Sequence, residues 1–294
     1  MSFEITKHFV EQYSANVQHL VQQQGSRLRG AVRVEVQRGK TAFYDQIGQQ
    51  TAAIRTTRGA DTILNDTPHA RRSVTLQDYE VADLIDDQDK LRMIHDPTST
   101  YAQSQAFAMM RAMDDVIITA ATGTAYTGVS GSTATTLPST SKVAKNYVES
   151  GNAANSGLTI GKLRRAKYLL DSQDVDPSIP RFIVVHPQQI QDLLQNTEIT
   201  SSDFNVIRAL VAGDIGAFMG FNFITSNRLA KDGNDRTCFA FAMDGILLSM
   251  AKDVTVRIDP RPDKSYATQV YACMSLGATR MEEEKVVEIL CVES

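Results

Sequence analysis

DPTSTYAQSQAFAMMRAMDDVIITAATG, residues 96–123, is the stretch on which the fold turns. Asp96 is a suitable N-cap, and Pro97 takes the first helical position, where an N–H has no helical acceptor anyway. Helix formers then run to Thr122, and Gly123 closes the segment. Ala102, Ala106, Met109, Met113, Val116, Ile117 and Ala120 mark one apolar stripe. The pattern predicts a helix over 97–122, and its 26 residues at ~1.5 Å each span roughly 39 Å. That is a spine, longer than a compact domain usually needs.

On the N-terminal side, Phe9, Tyr13, Val17, Leu20 and Val21 lie at helical spacing, so residues 5–24 read as an amphipathic helix stopping at Gly25. From Val32 to Gln37 the apolar residues alternate, which describes a strand with one wet face. Residues 41–85 mix strand-like pieces (Ala42–Tyr44, Ala53–Thr56, Val74–Leu76) with Gly59, Asp61, Asn65, Asp66 and Pro68. They read as a long hairpin whose tip lies near 58–69, where the breakers cluster. A two-stranded ribbon is marginal alone, so it is expected to lie on something else.

On the C-terminal side, 17 of the 35 residues from 123 to 157 are Gly, Ser or Thr, which predicts a linker and a domain boundary. Beyond it the chain alternates. A helix carries Leu163, Ala166, Leu169 and Leu170; Phe182–Val185 is a strand; a short helix opens at His186-Pro187. Val206–Val211, strands at Phe221–Thr225 and Cys238–Ala242, and a helix over Asp244–Met250 follow, giving a mixed α/β module. Val254–Ile258, Tyr266–Ala278 and Val286–Leu290 read as strands in antiparallel pairing, with residues 32–37 as a partner.

Composition excludes several classes. With 42% hydrophobic and 22% charged residues the chain is not disordered overall, and a net charge of −4 advertises no nucleic-acid binder. The start, Met1-Ser-Phe-Glu-Ile5, lacks the features of a secretory signal, so no export is expected. The longest apolar runs fall far short of a membrane span, so no membrane partner is expected. Cys238, Cys273 and Cys291 match neither a zinc pattern nor a disulfide framework and read as reduced core residues.

No chemistry-bearing motif emerges. Gly123-Thr-Ala-Tyr-Thr-Gly128 lacks the Lys-Ser/Thr of a phosphate loop and follows a helix instead of a strand. No pair among His8, His19, His69, His95 and His186 has metal-ligand spacing, and His186 reads as a cap. Asp83, Asp86, Asp87 and Asp89 lack the glycine and terminal glutamate of a calcium loop, and Glu282–Glu284 read as an exposed turn. No catalytic residue, cofactor or metal is therefore expected. What remains is a local charge bias: residues 25–58 hold seven basic side chains against two acidic ones, with Arg71 and Arg72 just beyond. Guanidinium forks suit carboxylates on another subunit, and the acidic run from Asp83 is the complement. The candidate intersubunit contacts are Arg27, Arg29, Arg55, Arg58, Arg71, Arg72, Asp83, Asp86 and Asp87.

The order of parts resembles the tailed-bacteriophage major capsid proteins of the HK97-like fold. The resemblance is carried by Asp66-Thr-Pro68 with Arg71-Arg72, by Asp78-Tyr-Glu-Val-Ala-Asp-Leu-Ile-Asp86, by Asp96-Pro-Thr-Ser99, and by Gly213-Asp-Ile-Gly-Ala-Phe-Met-Gly-Phe-Asn-Phe-Ile-Thr-Ser226. It implies an α+β chain divided into an N-terminal arm (1–30), a peripheral strand with an extended hairpin loop (31–90), a spine helix with linker (91–157), an axial domain (158–252) and return strands of the peripheral domain (253–294).

The function it implies is structural: hexamers and pentamers closing an icosahedral head around double-stranded DNA, assembled in the bacterial host cytoplasm. Residues 41–89 contain no lysine, so the isopeptide weld made from that loop in some members is not expected. About 30 residues precede the first strand, which points to a separate scaffolding protein. A portal and a decoration protein complete the implied partners, with the DNA enclosed without sequence-specific binding. An encapsulin-type compartment and a cytoplasmic α/β enzyme with its site in 158–252 are the alternatives.

Overall fold

The computed structural model describes residues 21–59, 61, 62, 64–86, 88, 98–149, 151–195 and 217–293. The spine is present as α1 (Thr98–Thr122). Its buried side includes Gln105, Met109, Met113, Ile117 and Ala121, spaced by four, so the helix presents one row to the interior. Met109, Met113 and Ile117 were expected there; Asp114, also buried, was not. Asp87, His95, the Asp96-Pro97 start, Val206–Val211 and residues 5–20 of the expected first helix lie outside the described residues. Residues 21–24, the end of that expected helix, are not helical.

Fifteen strands accompany α1 and two further helices among the described residues. The chain divides into two compact units. One comprises the described residues of Met1–Gly25, Asp78–Arg111 and Asp253–Met274. It holds most of β4 (Gln77–Ile85), the C-terminal half of β13 (Ile246–Arg261) and the N-terminal half of β14 (Ala267–Arg280), on either side of the turn at Pro262–Lys264. Within it the Gln105 amide of α1 donates to Val270 O at 3.1 Å and to Asp83 Oδ2 at 3.1 Å, fastening the helix to the strands.

The other unit comprises Ser26–Gln77, Ala112–Lys252 and Ser275–Ser294. Its largest sheet runs β7-β15-β12-β8-β10-β9, with β11 on β12. Here β7 is Lys142–Val143, β8 Arg181–Val185, β9 Ala217–Phe218, β10 Phe221–Thr225, β11 Lys231–Asp232, β12 Asp235–Ala242 and β15 Val286–Val292. Helices α2 (Ile160–Ser172) and α3 (Pro187–Gln195) belong to the same module. β8 and β10 pair in parallel and β12 runs antiparallel to β8 and β15, so Val184, Phe221, Phe239 and Phe241 are buried as a continuous apolar run predicts. A second sheet, β2-β3-β5-β6, is built from β2 (Thr41–Ile47), β3 (His69–Thr75), β5 (Ala125–Thr127) and β6 (Thr133–Thr135). The remaining sheet has the order β1-β13-β14-β4, with β1 at Arg33–Val36, and its strands are drawn from both units.

Four expectations are corrected. Where a helix over Asp244–Met250 was expected, Met243–Gly245 is a single 3-10 turn and Ile246–Met250 starts strand β13, because Ile246-Leu-Leu-Ser-Met250 is buried on both faces and shows no period to separate the two. β1 pairs β13 in parallel, Arg33 opposite Leu247, where an antiparallel partner was expected. The hairpin consists of β2 and β3 only: Ala53–Thr56 forms no strand, and Gln77–Ile85 belongs to another sheet. Residues 123–157 are folded, since β5 extends the hairpin sheet and β7 joins β15, with Leu137 and Val143 buried. Polar Thr and Ser there occupy strand positions, for which composition gave no signal.

Candidate assembly surface

The hairpin is rooted firmly and extends freely. At its root Val74 packs with Leu247, Met281 and Tyr44. The Tyr44 hydroxyl lies 3.0 Å from the Ser249 hydroxyl, and Gln46 Nε2 donates to Met281 O at 2.8 Å. Arg72 donates through Nε to the same carbonyl at 2.8 Å and pairs with Glu283. Gly277 lets β14 approach the hairpin, since a Cβ there would stand 2.5 Å from Thr75 O. On the outer face Arg71 bonds Asp45 at 2.6 Å and its guanidinium sits 5.5 Å from the Phe43 ring centroid. The hydrogen bond from Arg71 draws the Asp45 carboxyl below its ordinary range.

Residues 48–68 connect β2 to β3, and every described residue there except Thr67 is exposed. Ile54 is 86% and Leu64 91% exposed. The loop is shaped by local bonds, Gly48 N to Pro68 O at 2.8 Å, Asn65 Nδ2 to Thr51 O at 2.5 Å and Arg55 Nε to Thr57 O at 3.1 Å. Ala53, Ile54, Arg55 and Asp61 help to line a concavity of about 340 Å³. Ile54 and Leu64 thus stand uncovered among the described residues.

The candidate contact residues are dispersed. Arg27 Nη1 donates to Thr225 O at 2.5 Å, while Arg29 and Arg33 border an open groove beside β1. Arg55 and Arg58 stand exposed on the loop, and Arg71 is paired across the hairpin. Arg72 is buried and held by Glu283, which also corrects the reading of Glu282–Glu284 as a wholly exposed turn. Asp83 and Asp86 are exposed, Asp83 accepting from Gln105 and Asp86 from the Gln88 N–H.

Four polar residues hold the frame behind this surface, and sequence reasoning missed the roles of all four. Arg280, fully buried, donates to Ala121 O at 3.1 Å, Gly123 O at 2.8 Å and Thr135 O at 3.2 Å, so it caps the carbonyl end of α1. Burial pushes its guanidinium below the ordinary value. Lys162, also fully buried, spends its three N–H bonds on the carbonyls of Lys145, Ser156 and Leu290, and burial lowers its pKa. Asp114 accepts from the Ser26 hydroxyl and from the backbone N–H groups of Arg27 and Leu28, fixing the chain's entry to the fold. Glu293 accepts from Arg236 at 2.8 Å, Lys231 at 2.7 Å and Gln189 at 3.2 Å, and these bonds, Arg236 foremost, hold its pKa at about 2. His186 Nδ1 accepts from the Gln188 N–H at the start of α3, the capping role expected of it.

A spine helix, a hairpin bolted at its base with an exposed loop, and an α/β module make up an α+β chain of the HK97-like fold. The chain belongs to the phage capsid protein family, whose profile matches residues 5–293. It is a major capsid protein, a structural subunit whose place is the virion capsid. Solved structures agree on the fold. The capsid of cyanophage P-SCSP1u aligns with TM-score 0.77 at 17% identity, covering 100% of this chain and 96% of that one. A chain of Mycobacterium phage Che8 aligns with TM-score 0.69 at 17% identity, covering 96% and 97%. The capsid of a native GTA particle aligns with TM-score 0.70 at 13% identity, covering 99% and 97%. No match is found among curated proteins.

Proposed function

We propose that the chain assembles as hexamers and pentamers into an icosahedral head enclosing double-stranded DNA. The family match over nearly the whole chain carries this reading, and the exposed loop at 48–68 supports it, because neighbouring copies would cover its open Ile54 and Leu64. The chain is divided as its resemblance implies, into arm 1–30, peripheral strand and loop 31–90, spine 91–157, axial domain 158–252 and return strands 253–294. Arg27, Arg29, Arg55, Arg58 and Arg71 face carboxylates of adjacent copies, Asp83, Asp86 and Asp87 among them; Arg72 acts from inside its own chain. Assembly takes place in the host cytoplasm with a separate scaffolding protein and a portal, and the segment 123–157 offers a seat for a decoration protein. A net charge of −4 suits a shell that encloses DNA without sequence-specific adhesion.

Electron microscopy of the overexpressed chain, with and without a scaffolding partner, is expected to show closed icosahedral shells. Open tubes or isolated rings alone count against the proposal. In mature particles the lumen is expected to yield nuclease-protected DNA; protein cargo in its place overturns the DNA-enclosing role.

A further inference from the structure

We propose that β1 of one copy pairs edge to edge with β4 of the next, so that the β1-β13-β14-β4 sheet continues across the boundary between subunits. The inference rests on the capsid reading and names surfaces by which copies meet. The strand order leaves β1 and β4 outermost, and among the described residues neither has a second strand partner. An outer strand presents a row of N–H and C=O groups ready to template another strand, and proteins usually guard it with lysine, proline or a cover. Neither Arg33-Val-Glu-Val36 nor Gln77-Asp-Tyr-Glu-Val-Ala-Asp-Leu-Ile85 contains lysine or proline. Apolar side chains stand in the open instead: Val34 is 42% and Val36 84% exposed on β1, and Leu84 is 52% exposed on β4.

The charges are segregated between the two edges. Arg29 and Arg33 flank β1 and border a groove of about 620 Å³ that Val32, Val34 and Ile179 also line. The single acidic residue of β1, Glu35, is paired along the strand with Arg33. β4 and the residue after it carry Asp78, Glu80, Asp83 and Asp86, all exposed, and no basic residue. Glu80 accepts from the Tyr271 hydroxyl and Asp83 from Gln105, and each carboxylate has further acceptor sites for a guanidinium. Like-with-like pairing of two β4 edges would set carboxylates against carboxylates, whereas β1 against β4 joins apolar to apolar and basic to acidic. Two different patches on one chain make a heterologous, head-to-tail contact, the kind that generates rings when the rotation closes. Main-chain bonds along the new pair give affinity, and the alternating side chains set the partner.

The test is a full-length chain carrying Val36→Cys and Leu84→Cys, assembled and then oxidised with copper phenanthroline. The native cysteines are buried and stay silent. Disulfide-linked multimers are expected on non-reducing gels, collapsing to one band on reduction. In the native-cysteine background, Arg33→Glu is expected to raise the concentration for half-assembly about tenfold, and adding Asp86→Arg, at an exposed carboxylate bonded among the described residues only to the Gln88 N–H, to restore it. Normal particles without cross-linked species overturn the edge pairing and leave the capsid reading intact. A wild-type chain that never assembles defeats the capsid reading and this inference with it.

Discussion

Arg280 shows how much a single side chain can organise here. One guanidinium terminates α1, ties the β6 carbonyl of Thr135 to the same point and lies 3.5 Å from Glu283, which Arg72 engages from the hairpin. Removing one partner from a buried ionic network leaves the others desolvated and unpaired. Arg280→Met is therefore expected to cost about 3–5 kcal/mol, read as a Tm lowered by roughly 10 °C in thermal unfolding. Glu293 makes the matching case for pH. Its folded pKa of about 2 lies below the ordinary value of 4.5, so its contribution is complete above about 4.5 and is lost as pH falls toward 2. Glu293→Gln is expected to flatten that acid limb in denaturant titrations from pH 6 to pH 2; an unchanged limb refutes the assignment. None of these roles was legible in the sequence. A lone arginine or glutamate carries no mark of its partners, which for Arg280 are the carbonyls of Ala121, Gly123 and Thr135 and for Glu293 the side chains of Gln189, Lys231 and Arg236, all remote in the chain.

At the scale of elements, the hairpin separates two tasks along one pair of strands. The root residues Tyr44, Arg72 and Val74 serve the fold, while residues 48–68 make few contacts beyond their own loop. Replacing 52–64 with a Gly/Ser linker of equal length is expected to change stability by less than about 1 kcal/mol while abolishing shell formation, checked by denaturant melts beside sedimentation. A large loss of stability contradicts this division. α1 and the hairpin's antiparallel core were readable because each couples a clear period to a clear stop signal, and β8 and β10 because each is a short apolar run bounded by proline, glycine or serine. The β13 start was misread because a fully buried strand and a buried helix share the same unbroken apolar run. The folded state of 123–157 was hidden for the opposite reason, its strands being made of Thr, Ser and Ala, whose place is set by the neighbours they pair with. Of the candidate surface, the loop and its breakers were legible, whereas the burial of Arg72 depended on Glu283, over two hundred residues away.

For the whole molecule, the division of labour between a well-filled interior and an unfinished exterior has a practical consequence at the loop 48–68. Arg55 and Arg58 are exposed, three positions apart, in a segment without strand pairing, the type of site proteases cut first. Trypsin is expected to nick the free subunit there within minutes and to act far more slowly on finished shells, with mass spectrometry locating the cuts. Equal rates in both states contradict cover by neighbouring copies. The segment thus doubles as a timer: the fraction of intact chain after a short protease pulse is expected to report how far assembly has gone.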